Sequence, residues 1–166
     1  MLQSIDLWLH TTPAGEFLWT VLVSMAPILE LRGGLPIGVS LGLPVPVAFA
    51  AAVIGNMIPV PFVILFARRV FAWIRRWIPP LNSLIDRLER RAEHKRELVL
   101  RYQTLGLLIL VAIPLPGTGA WTGALVAAVM DLRMKKALPA IAGGVVIAGL
   151  IIALLTYGVT AVFPPA

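Results

Sequence analysis

Glu30 and Arg32 are the residues of this sequence best suited to chemistry, because they stand two apart inside an otherwise apolar stretch. Ionisable side chains in such a setting are expensive and cluster on substrate or ion paths. Residues two apart do not face each other on a regular helix. The following Gly33-Gly34 predicts that the helix has ended here, which lets the two side chains pair. Two readings follow. Either Arg32 binds an anion while Glu30 changes protonation, or the two form a structural ion pair that holds the chain shut.

Other candidates cluster at a second interruption, Pro114-Leu115-Pro116-Gly117-Thr118-Gly119. Pro36 fits the first turn of a helix leaving the first break, and Thr118 fits the N-cap of one leaving the second. Helix N-termini present unpaired N–H groups and a positive dipole end. Two of them meeting near Arg32 would bind an anion without a further basic side chain. Gly33, Gly34, Thr118, Gly119, Trp121 and Thr122 are therefore expected to line a substrate site, with Glu30 as the proton-coupling group. Asn56 is the amide of its apolar block and precedes Pro59 and Pro61, which free backbone carbonyls. It lines the site or fastens two helices together. Asp131 and Arg133 are a candidate gate, or simply loop charges.

Much other chemistry is excluded. There is no cysteine, hence no disulfide, thiolate metal site or cysteine nucleophile. His10 and His94 lie far apart, so no zinc site can be built from them. No nucleophile–base pair or phosphate loop is present. The expectation is a protein that is not an enzyme and carries no cofactor and no metal.

The elements that must position these residues belong in lipid. Of 166 residues, 59% are hydrophobic and 13% charged, against about 45–50% and 25% in an average soluble domain. The apolar blocks run over 17–43, 45–67, 104–130 and 136–158. The second and fourth are long enough to span a bilayer. The first and third are broken by the glycines and prolines just described. If all four blocks spanned, a cytoplasmic linker over 68–101 would leave Arg133, Lys135 and Lys136 outside and the Lys/Arg-free N-terminus inside, against the positive-inside rule. If the first and third are re-entrant hairpins, the N-terminus, the 42–46 connection and the C-terminus lie outside without a Lys or Arg. Thirteen of the fourteen basic residues then lie inside, and only Arg32 is left at a hairpin tip. The second arrangement fits the charges. Irregular backbone at such depth must be buried in protein or line a wet cavity, so the tips are expected inside the protein or at a subunit interface, with a homodimer the natural solution.

The fold class expected is thus an all-α integral membrane protein built as an inverted repeat of re-entrant hairpin plus transmembrane helix. It forms one membrane domain, 1–166, with an interfacial segment over 1–16, repeats over 17–75 and 104–160, and a basic linker helix over 76–103. Ala26-Pro27 and Ile113-Pro114 stand about 87 residues apart, and Gly55-Asn56 and Gly143-Gly144 about 88. Inverted repeats with paired broken helices mark secondary transporters. Ten basic against four acidic residues over 68–101 carry the whole net charge of +6. Few aromatic residues accompany them, which argues for inner-leaflet lipid and against nucleic acid. In the linker, Leu81, Ile85, Leu88, Ala92 and Val99 form one stripe. Asp86–Arg90 and Glu97–Arg101 support it at i,i+4, and Ser83 is a cap. Leu2, Ile5, Trp8 and Leu9 suggest a short helix lying in the membrane interface.

The stretches Glu30-Leu31-Arg32-Gly33-Gly34-Leu35-Pro36-Ile37-Gly38 and Pro114-Leu115-Pro116-Gly117-Thr118-Gly119-Ala120-Trp121-Thr122-Gly123 resemble the small multidrug export protein family, a distant relative of the DedA/VTT membrane proteins. The resemblance covers about residues 17–160. It implies facing re-entrant hairpins in the cytoplasmic (inner) membrane. It also implies proton-dependent transbilayer movement of an anionic lipid phosphate, such as undecaprenyl phosphate, with Glu30 matching the hairpin carboxylate. Arg133 is the nearest match to the arginines of the second DedA hairpin. The alternatives are an exporter of small hydrophobic or cationic compounds, which a single intramembrane acid suits, and a membrane assembly factor without transport.

Overall fold

A computed structural model of the chain describes residues 12–77, 83, 86, 87, 90, 104–115 and 117–158. Seven helices follow in order among them: α1 (Pro13–Ser24), α2 (Glu30–Ser40), α3 (Val45–Met57), α4 (Pro59–Trp77), α5 (Thr104–Ala112), α6 (Ala120–Val129) and α7 (Met134–Tyr157). No strand occurs among the described residues. The chain divides into two compact units, Met1–Ile58 with Val145–Ala166, and Pro59–Gly144. The interfacial helix around Trp8, both histidines, Pro116, all five residues of the linker stripe and the Glu97–Arg101 pair lie outside the described residues. Within the linker, Ser83, Asp86, Arg87 and Arg90 are helical, and Arg90 Nε donates to the Asp86 carbonyl at 3.2 Å.

In the first unit α1 and α2 form a hairpin against α3, all three packing on one another. Thr12 starts α1 by accepting from the Gly15 amide at 3.1 Å, and Pro13 takes the first helical position. That pair of start signals carries the first arm four residues further toward the N-terminus than the apolar block. The arm ends at Ser24, and a five-residue turn over 25–29 leads into α2. The break therefore lies before Glu30, not at Gly33-Gly34. Both glycines and Pro36 sit within one continuous helix, Glu30–Ser40. Packing explains the glycine that propensity alone would read as a breaker: a Cβ on Gly34 would collide with Ser24 Oγ. Gly55 of α3 is pressed in the same way on the Val21 carbonyl and on Ser24. Leu35, Ala48, Ala51 and Ala52 are buried in this unit, and Leu31 and Phe49 meet Gly149 of α7.

The second unit pairs α5 with α6, and α6 also packs on α4. Its hairpin turn is two residues longer, 113–119. Gly123 of α6 meets Val111, and Gly144 of α7 meets Val111 and the Leu108 carbonyl. These are the contacts of Gly34 and Gly55 over again. The exits of the two hairpins also match bond for bond. Leu43 N–H donates to Gly38 O at 3.1 Å and Gly42 N–H to Val39 O at 3.1 Å. Leu132 N–H donates to Ala127 O at 2.9 Å and Asp131 N–H to Ala128 O at 3.3 Å. Both pairs have the bonding of a helix end closed by a left-handed residue, with φ +114° at Gly42 and +57° at Asp131. The next turns match as well: Pro44 O accepts from Val47 and Ala48, and Arg133 O from Lys136 and Ala137.

The arms are short. With 12 and 11 residues in the first hairpin and 9 and 10 in the second, they rise about 14–18 Å, near half of a roughly 30 Å hydrocarbon core. Val45–Ala67 and Met134–Tyr157, with 23 and 24 residues, are the two described stretches long and apolar enough to cross a membrane. The first of these is interrupted at Ile58, because Pro59 and Pro61 supply no amide hydrogen to the turn before them. Phe62, Leu65 and Phe66, at i, i+3 and i+4 of α4, form an exposed apolar face suited to lipid.

Candidate functional site

Glu30 is the first residue of α2 and the focus of the first hairpin. Its amide donates to Ala26 O at 2.9 Å, closing the turn, and only 7% of its surface is exposed. Its φ of +49° places a non-glycine residue in the left-handed region, a conformation that costs on the order of 1–2 kcal/mol. Strain held at a buried carboxylate is the kind found at functional sites. Outside regular helical geometry, Glu30 is no longer bound by the rule that residues two apart point away from each other, and it acts electrostatically on Arg32. Arg32 is half-buried in the first turn of α2. A guanidinium there adds to the positive end of the helix dipole, so the place favours a negative group. Glu30 is the negative group the chain itself provides.

Gly33 lies in the same turn, where an added Cβ would touch the Leu29 side chain at 3.0 Å. Gly34 points instead into the interface with α1. Asn56, in the last turn of α3, is 3% exposed, and its Oδ1 has no hydrogen-bond partner.

The second set of expected residues gathers at the second turn. Thr118 is not the N-cap of α6. Gly119 holds that position with φ +143°, a backbone that a threonine would adopt only under strain. The Thr118 hydroxyl braces the turn instead, donating toward Ile113 O at 2.6 Å or Leu115 O at 2.7 Å and accepting from the Leu115 amide at 3.1 Å. Thr122 Oγ1 donates to Gly117 O at 3.1 Å. Trp121 and Thr122 are half-buried in the first turn of α6. Pro36 is likewise not a first-turn residue, since it stands in the interior of α2. Asp131 and Arg133 are exposed at the connection between α6 and α7.

Two buried hydroxyls escaped the sequence reading. Thr20 and Ser24, both fully buried, donate to the carbonyls one turn back, Thr20 Oγ1 to Glu16 O at 2.8 Å and Ser24 Oγ to Thr20 O at 2.7 Å. The signal was the spacing of four in Glu16, Thr20 and Ser24 along an otherwise apolar arm.

Against known proteins, no curated protein and no solved structure matches the chain. A family described as "Putative small multi-drug export protein" matches residues 30–151, a range that opens on Glu30, directly after the first hairpin turn, and takes in the second turn. With two helices long and apolar enough to cross a membrane, this points to a membrane protein of export or transport, and the chain belongs to the small multi-drug export protein family.

Proposed function

We propose that the protein is a proton-coupled membrane transporter, without an enzymatic step, that carries an amphipathic substrate with an anionic head group such as a lipid phosphate. The observation that carries this reading is the buried, left-handed Glu30 acting on Arg32 at the N-terminus of α2. Arg32 and the positive end of α2 take the anion. An anion on Arg32 competes with Glu30 for the guanidinium, and Glu30 takes up a proton in exchange. Anion and proton then strengthen each other's binding, because coupling between sites is reciprocal. The kinship with the DedA/VTT proteins and the inner-membrane location belong to this proposal, supported by the hairpin carboxylate and the short arms.

A repeat of hairpin plus spanning helix also belongs to it. The matched helix ends at Gly42 and Asp131 and the matched glycine contacts support a repeat. Its inverted sense is supported by the basic residues of the 131–136 connection and their absence from 42–46. A second copy of the chain is proposed to cover the turns, where Ile28 and Leu115 stand exposed.

The second reading, export of small hydrophobic cations held by Glu30, is favoured by the family's description. One experiment separates the two. Affinity for a short-chain lipid phosphate is measured against pH in the same lipid for the wild type, Glu30→Gln and Arg32→Ala. The expected result is binding that strengthens as pH falls in the wild type, loses its pH dependence in Glu30→Gln and disappears in Arg32→Ala. Parallel curves for wild type and Glu30→Gln would remove Glu30 as the coupling group. Retained phosphate binding in Arg32→Ala would favour the cation exporter.

A further inference from the structure

The end of α3 gathers oxygen acceptors without a donor to match them. Asn56 Oδ1 is buried and unpartnered, and such an atom costs about 1–3 kcal/mol unless something occupies it. On either side of it, Gly55 and Met57 have lost the amide donors of a regular helix, because the residues four further on are Pro59 and Pro61. Gly55 rests on the Val21 carbonyl and on Ser24, which brings the last turn of α1 against the last turn of α3. Each of those turns is the negative end of a helix dipole, and neither contains a basic residue.

We infer that Asn56 Oδ1 and the backbone carbonyls of Gly55 and Met57 bind a monovalent inorganic cation, with sodium the ion of choice. An anion is disfavoured, because the unpartnered atom is an oxygen and both turns are negative helix ends. A divalent ion would call for several carboxylates, whereas the donors here are neutral oxygens. Interrupted helices whose C-terminal ends and unwound carbonyls face a bound cation are a recurrent means of ion coupling in transporters. The interruption here is at Ile58.

The test is the melting temperature of the full chain in lipid nanodiscs, in sodium chloride and in choline chloride at equal ionic strength. Wild type should melt at least about 3 °C higher at saturating sodium. Asn56→Leu should fold, melting in choline at or above the wild type because the unpartnered amide is gone, and its sodium response should vanish. Pro59→Ala returns an amide donor to Gly55 and should reduce the response. Arg32→Ala should keep the full response, which separates this site from the proposed anion site. Equal melting of the wild type in the two salts would leave only water at Asn56 and overturn the inference. So would an undiminished sodium shift in Asn56→Leu, or in Pro59→Ala should the leucine variant not fold.

Discussion

The two hairpins and the helices that follow them share a backbone pattern but carry opposite side chains. From the second arm onward the matched hydrogen bonds stand 89 residues apart, as in Gly42 and Asp131. In the first arm the matched glycine contacts, Ser24 and Val111, stand 87 apart. The difference of two is the extra length of the second turn. Carried along the chain, this spacing sets Thr20 against Leu107, Ser24 against Val111, Glu30 against Gly119, Arg32 against Trp121 and Asn56 against Val145. Polar and ionisable groups of the first hairpin are replaced by apolar residues or glycine in the second. What both retain is scaffold: a glycine of the second arm packed on the first, a glycine in the following helix and a positive-φ residue closing the second arm. The lesson is that the backbone pattern does not require the polar groups. Glu30, Arg32 and Asn56 are kept at a cost the other hairpin avoids, which is what a functional site looks like in apolar surroundings.

The sharpest way to break this comparison is all-or-none. Pro46 and Lys135 are matched positions, both exposed, in connections of opposite charge character. Cysteines introduced at each should react with an impermeant thiol reagent from opposite faces, Pro46→Cys from outside and Lys135→Cys from inside. Labelling of both from one side would end the inverted reading while leaving the matched bonds intact.

Next in size is the shared glycine of the following helix. Gly55→Ala would drive a methyl group into the Val21 carbonyl, and Gly144→Ala would drive one into Val111 and the Leu108 carbonyl. Backbone is the obstacle in both places and cannot rotate away. Each variant should lose about 1–3 kcal/mol, read as lower melting temperatures of similar size. A neutral result at one position alone would show that the two contacts are not equivalent.

Much of this architecture was legible in the residues. The two interruptions, the half-length arms and the long stretches 45–67 and 136–158 follow from apolar block length and from where glycine and proline fall, and the helix of the last runs over Met134–Tyr157. The site was legible in part. Glu30 and Arg32 announce themselves by charge, but their local geometry does not. Gly33-Gly34 reads as a helix end on propensity, whereas the need for Gly34 to meet Ser24 keeps the helix going and moves the break to 25–29. Thr118 reads as a cap because it precedes a helix, yet a left-handed Gly119 takes that place and leaves the hydroxyl to brace the turn. The interruption at Ile58 was foreshadowed by Pro59 and Pro61, but an apolar block of that length reads as one spanning helix. The first of these errors comes from a contact outside the segment, and the other two from local backbone chemistry, a positive-φ glycine and two prolines without amide hydrogens.

The smallest effect tests the shared helix ends, and there the two hairpins should respond with opposite sign. Gly42 and Asp131 close α2 and α6 with the same pair of bonds and both have positive φ. At Gly42 the φ of +114° lies where an L side chain is strained, so Gly42→Ala should destabilise by about 1–2 kcal/mol. Asp131 already bears that kind of strain at φ +57°. Asp131→Gly relieves it but gives the unfolded chain more freedom, a loss of roughly 0.5–1 kcal/mol. On the backbone alone the net change should be a stabilisation of no more than about 0.5 kcal/mol, less whatever the interaction of the Asp131 side chain contributes. Melting in nanodiscs measures both, the first as a drop of a few degrees and the second as a rise of about a degree. If Asp131→Gly instead destabilises by more than a degree, the aspartate side chain contributes something the glycine of the first hairpin does not. Asp131 would then hold the second hairpin by its side chain as well as by its backbone.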